Sequence, residues 1–98
     1  MSALATEVLR PEGNLSYETI PAVLAETAQF AARADLPPTI RIDFSAVTGV
    51  DSAAVALLLE WRRMAIARGK TLEFENVPPN LLALAKLYGV AELIAPEP

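Results

Sequence analysis

Apolar and polar residues alternate along this chain in segments whose period switches between two and about 3.6, with prolines and glycines at the switches. Thr39-Ile40-Arg41-Ile42-Asp43-Phe44 has period two and many β-branched residues, the clearest strand signature present. Thr71-Leu72-Glu73-Phe74-Glu75 has the same form, and Ala3 to Arg10 predicts a further strand. Pro11-Glu12-Gly13-Asn14 reads as a turn, with room for a second short strand near Gly13-Asn14-Leu15. Ile20, Val23, Leu24, Thr27 and Phe30/Ala31 recur at helical spacing and predict a helix from about Tyr17 to Arg33, capped by Ser16, with Pro21 in its first turn. Asp35-Leu36-Pro37-Pro38 stops it. A loop from Ser45 to Val50 leads to Asp51-Ser52 and a helix to about Arg68, with Gly69 where a left-handed C-terminal cap belongs. A last helix, Leu81 to Tyr88, follows Pro78-Pro79-Asn80 and closes at Gly89. The order β-(β)-α-β-α-β-α predicts a small α/β domain, residues 1–98, with a small mixed β-sheet covered by three to four helices.

The central helix carries more apolar surface than a sheet needs. Projected at about 100° per residue, Leu58 centres a stripe with Ala54, Trp61 and Ala65; Val55, Ile66 and Leu59 extend one flank, and Met64 and Leu57 the other. The arc covers about 220°, roughly twice a single core-facing stripe, and Arg62 interrupts it. Either the first and third helices cover the surplus, or another protein does. Ser52, Ala56, Leu59 and Arg63 share one lane of small residues with one apolar knob and one charge. That lane starts at the helix N-terminus, where Asp51 or Ser52 serves as a cap and where an added phosphate would meet free N–H groups.

Composition narrows the function. Of 98 residues, 53% are hydrophobic and 20% charged, which is enough apolar content for a folded core and excludes disorder. With no cysteine and no histidine, disulfides, thiol catalysis and the commonest general base and metal ligand are excluded. A net charge of −4 disfavours nucleic acid, and no cofactor is expected. The first residues lack a basic n-region and a long apolar run, and the longest apolar run, Ala53 to Leu59, is too short to span or insert in a membrane, so the expected compartment is the cytoplasm. Asp43 and Asp51 flank one loop, but no histidine, cysteine or lysine nearby completes an acid–base set, so no enzyme is expected. Glu73 and Glu75 share one solvated strand face. The four glycines, at 13, 49, 69 and 89, are too scattered for a phosphate-cradling loop. Arg62, Arg63, Arg68 and Lys70 make a mild basic patch, read as a solvated helix end in preference to a lipid-headgroup site.

The stretch Ile42-Asp43-Phe44-Ser45-Ala46-Val47-Thr48-Gly49-Val50-Asp51-Ser52-Ala53-Ala54-Val55 resembles the core motif of STAS domains, the fold of anti-sigma-factor antagonists. That motif reads apolar-Asp-apolar-Ser, a short loop, then Asp-Ser/Thr-Ser/Gly/Ala-Gly-Leu opening a helix. The Leu82 to Val90 tail and the Ala56-Leu57-Leu58-Leu59 run are similar to the MlaB-type STAS subunits of Mla phospholipid-transport ABC complexes. The resemblance implies a non-catalytic subunit that binds the MlaF-like ATPase and, through it, the permease, so that the chain sits on the inner-membrane face through its partner. It places Ser52 at the family's phosphorylatable Ser/Thr position and, in MlaB-like proteins, at the ATPase-facing surface. It further implies that Asp51 holds the loop and caps the helix, and that Asp43 braces the loop from the strand end. The expected interface joins Ser52, Ala56, Leu59 and Arg63 with Lys86 and Tyr88 of the last helix. The uncovered flank would also allow an isolated copy to pair with itself. Ala54 stands where the family usually has glycine, a departure that weighs on phosphorylation by a kinase more than on binding. The alternative implied by the same family is an anti-sigma-factor antagonist switched by phosphorylation of Ser52.

Overall fold

The structure, a computed structural model, describes residues 6–94. Its elements are β1 (Thr6–Leu9), β2 (Gly13–Leu15), α1 (Ile20–Ala31), β3 (Thr39–Asp43), β4 (Val47–Val50), α2 (Ser52–Ala67), β5 (Thr71–Glu75), α3 (Pro79–Leu87) and α4 (Ala91–Ile94). Residues 3–5 of the expected first strand lie outside the described residues. The expected small mixed sheet is laid down as two ladders, β1-β3-β5 and β2-β4, each internally parallel. Parallel neighbours need crossovers, and α1 and α2 supply them on the way from β1 to β3 and from β3 to β5. β3, the clearest strand in the sequence, is central, with Ile40, Ile42 and Asp43 buried and Thr39 and Arg41 half-buried.

Several boundaries differ from the sequence reading. Residues 17–19 form a turn and α1 begins at Ile20, so Thr19 and not Ser16 precedes the helix. Pro21 has no N–H to donate and fits only the first turn, which fixes where the helix starts. The turn is tied by the Thr19 hydroxyl, which accepts from the Ser16 N–H at 2.9 Å and donates to the Asn14 carbonyl at 2.7 Å. Val47–Val50, expected within a loop, is a strand because Gly13–Leu15, the short strand for which the sequence left room, pairs with it; the expected turn keeps only Pro11 and Glu12. α3 starts at Pro79 and ends at Leu87, and a short α4 follows. Gly69 and Gly89, with φ of 68° and 74°, stand in the left-handed region just past α2 and α3.

The core lies between the sheet and the helices. Leu15, Ile42, Phe44, Leu57, Leu58 and Leu81 are its largest fully buried side chains; each such side chain contributes about 1.5–3 kcal/mol. Phe44 stands between Trp61 and Phe74, with ring centroids 6.2 Å and 5.8 Å away in tilted geometry. Trp61 spends its one polar group inside, donating from Nε1 to the Thr27 hydroxyl at 2.9 Å, and Thr27 in turn donates to the Val23 carbonyl. This chain of bonds pins α1 to α2. On β3 and β5, Arg41 bridges to Glu73 at 3.0 Å and lies 3.7 Å from Glu75.

Candidate functional site

The N-terminus of α2 is assembled around Asp51. Its backbone is extended and its Oδ1 accepts from the Ala53 N–H at 2.8 Å, so Asp51 is the helix cap. The other oxygen, Oδ2, accepts from the Tyr17 N–H at 3.0 Å, and the Asp51 N–H donates to the Leu15 carbonyl at 3.3 Å. One residue therefore fixes the β2–α1 turn against the start of α2. Ser52, next in sequence, is exposed.

Asp43 occupies a different place. It is 5% exposed at the end of β3, where Oδ1 accepts from the Ser45 N–H and the Asn76 amide, both at 2.9 Å. Its Oδ2 accepts from Arg10 Nε at 2.9 Å. The Asn76 amide first, then the Ser45 N–H and the Arg10 guanidinium, hold the Asp43 carboxyl well below the usual carboxylate range. The two aspartates are thus separately bonded structural groups, each with its oxygens occupied by donors.

On α2, Ser52, Ala56, Leu59 and Arg63 fall on one lane; Ser52, Ala56 and Arg63 are exposed and Leu59 half-buried. Arg63 is held by Glu60, with Nη2 2.6 Å from its carboxylate. The surplus apolar arc is divided. Val55 and Leu57 are buried and Met64 half-buried, whereas Ile66, on the Leu59 flank, is 71% exposed. Arg62 lays its guanidinium 5.5 Å from the Phe74 ring centroid. Lys86 and Tyr88 are also exposed, at the C-terminal end of α3, which packs on α2. Ala54 is fully buried, so its methyl is part of the core and not of the exposed lane.

Opposite the lane, beside Trp61, a cleft of about 420 Å³ opens between α1 and the β1–β2 turn, with Arg10, Glu12 and Glu26 on its rim. Arg10 is engaged by Asp43. Among the described residues no group of three or more metal-ligating side chains gathers, and no helix is long and apolar enough to cross a membrane.

Sequence reasoning missed Tyr17, Arg10 and Asn76. Tyr17 meets Asp51 across 34 positions and Arg10 meets Asp43 across 33, separations at which no local pattern operates. Asn76 carried a signal: a single asparagine directly after a strand, here at φ 57°.

The family model described as "Mlab, STAS domain" matches residues 2–95. No curated protein matches the chain significantly in sequence. Among solved structures, the chain is similar to a sulfate transporter family protein from Wolinella succinogenes, with a TM-score of 0.74 at 16% identity, covering 94% of this chain and 73% of that one. It is likewise similar to the anti-sigma factor antagonist SpoIIAA in its unphosphorylated form, with a TM-score of 0.71 at 21% identity, covering 91% of this chain and 76% of that one. With a family match over nearly its whole length and the matching fold, the chain belongs to the STAS domain family, whose members are protein-interaction modules.

Proposed function

We propose that this chain is a non-catalytic STAS subunit that binds the cytoplasmic ATPase of an Mla-type phospholipid-transport ABC complex and supports its assembly or activity. The observation that carries this reading is the lane on α2, exposed at Ser52, Ala56 and Arg63 and half-buried at Leu59, in a chain matched by a family model bearing the Mlab description. Small side chains at Ser52 and Ala56 let a partner's backbone come close, Leu59 offers an apolar contact, and Arg63 sets charge at the far end. Lys86 and Tyr88 extend the surface onto α3. In this role the domain works by binding linkage: contacts made in one conformation of the ATPase and not in another stabilise that conformation. The ATPase keeps the nucleotide chemistry, and the chain sits at the inner-membrane face through its partner.

The test is affinity purification of the tagged chain from detergent-solubilised membranes of its host, with mass spectrometry of what accompanies it. Recovery of an ABC ATPase with its permease supports the reading. Leu59→Asp should abolish that recovery while the far-UV circular dichroism and thermal midpoint stay near wild type. Recovery undiminished by Leu59→Asp would mean that the lane is not the interface.

A second reading, an anti-sigma-factor antagonist switched by phosphorylation of Ser52, is favoured by the exposure of Ser52 and the likeness to SpoIIAA. Burial of Ala54 keeps its methyl away from an approaching kinase. Recovery of a serine kinase in place of the ATPase, together with one added phosphoryl group on Ser52, would select this branch.

A further inference from the structure

We infer that Tyr17 is an anchor of the same docking surface, inserting its ring into an apolar pocket on the ATPase subunit that receives the α2 lane. This rests on the ATPase-docking reading and extends it from one helix to a second, sequence-distant element. Tyr17 is 80% exposed, the most exposed of the large hydrophobic residues described. Its backbone, by contrast, is fixed: the N–H donates at 3.0 Å to Asp51 Oδ2, on the residue that caps α2 directly before Ser52. The turn that carries it is tied on both sides, by the Thr19 hydroxyl bonded to Ser16 and Asn14, and by the Asp51 N–H bonded to Leu15. The turn that carries Tyr17 is thus bonded to the residue directly before Ser52, which puts it within the footprint of a partner seated on the start of α2. An aromatic side chain on a preorganised turn offers a large contact area with little entropy to lose on binding, because only its two side-chain torsions remain to be ordered. Tyrosine is for that reason enriched among residues that dominate interface energetics.

The experiment compares wild type, Tyr17→Ala, Tyr17→Phe and Leu59→Asp for binding to the host's Mla-type ATPase–permease complex, purified in detergent and immobilised for interferometry. Tyr17→Ala is expected to weaken binding about tenfold or more. Tyr17→Phe, which keeps the ring, should bind within about threefold of wild type, a retention that a dominant role for the hydroxyl would not give. Thermal midpoints of both Tyr17 variants should match wild type, since the tether uses the backbone N–H. Wild-type affinity in Tyr17→Ala with binding lost in Leu59→Asp would overturn the anchor and leave the docking reading intact. No binding by wild type would remove the docking reading and the anchor with it, whereas full binding by both Tyr17→Ala and Leu59→Asp would overturn the anchor and the α2 lane as the interface while leaving binding to the ATPase standing.

Discussion

At the scale of single residues, Asp51 has the most to do. One carboxylate caps α2 through the Ala53 N–H and holds the β2–α1 turn through the Tyr17 N–H. Loss of a helix cap costs about 0.5–2 kcal/mol. Asp51→Ala should therefore lower the unfolding free energy read from urea denaturation by an amount in the upper part of that range, because the Tyr17 N–H also loses its acceptor. Asp51→Asn keeps one oxygen for the cap and replaces the other with a donor, so it should fall between wild type and Asp51→Ala. An Asp51→Ala midpoint equal to wild type would show that neither bond stabilises the fold. The cap itself was legible in the sequence as Asp51-Ser52 ahead of an apolar helix, although which of the two capped was not. The second bond was not legible, since nothing near position 51 indicates position 17.

Among the elements, the β2–β4 ladder departs most from the sequence reading. The short strand for which Gly13-Asn14-Leu15 left room is present, whereas Val47-Thr48-Gly49-Val50, which contains a glycine, has no strand signature of its own and read as loop. Each becomes a strand because the other is there. The pairing puts Asn14 opposite Gly49 and bonds Asn14 Oδ1 to the Thr48 hydroxyl at 3.1 Å. A Cβ at Gly49 would lie 2.8 Å from Asn14 Oδ1, too close for the amide to stay where it is. The amide is the end of an exposed side chain and can turn away, so Gly49→Ala should cost about 1 kcal/mol, the net worth of the Asn14–Thr48 hydrogen bond that the turn breaks. In an Asn14→Ala background the same change should cost distinctly less, the non-additivity expected of two residues in contact. Additive costs in chemical denaturation would show that the Asn14 amide is not what Gly49 accommodates. α2 gives the converse case: its caps, length and core face follow from periodicity, and Ser52–Ala67 lies within a residue of the expected span.

For the molecule as a whole, the bonds around Asp43 join what the chain keeps far apart. Arg10 follows β1, Asp43 ends β3 and Asn76 follows β5, so one buried carboxylate gathers the same end of all three strands. Its depressed pKa means that the native state favours the ionised form. The resulting stabilisation is fully present above the unfolded value of about 3.9 and is lost as pH falls toward the folded value. Stability should hold through neutral pH and decline below about pH 4. Asp43→Asn should be less stable than wild type at pH 7 and show a flatter acid limb, read from thermal midpoints between pH 7 and pH 2. Parallel curves for the two proteins would mean that Asp43 is not the group responsible. Asp35, exposed beside Arg33, is also held low, but solvent screens that pair and it is common to both proteins.

By itself the sequence determined the α/β class, the strong strands, the central helix with its cap, and the lane on its outer face, because period, capping chemistry and proline placement act within a turn or a strand length. The tertiary structure decided the rest. It made a strand of Val47–Val50 by giving it a partner, covered one part of the apolar arc while leaving Ile66 open, and tied the Tyr17 backbone to Asp51, the residue before Ser52, through a bond spanning 34 positions. These depend on which surfaces meet once the chain has closed, and pairing over such separations leaves no periodic trace in the residues that make it.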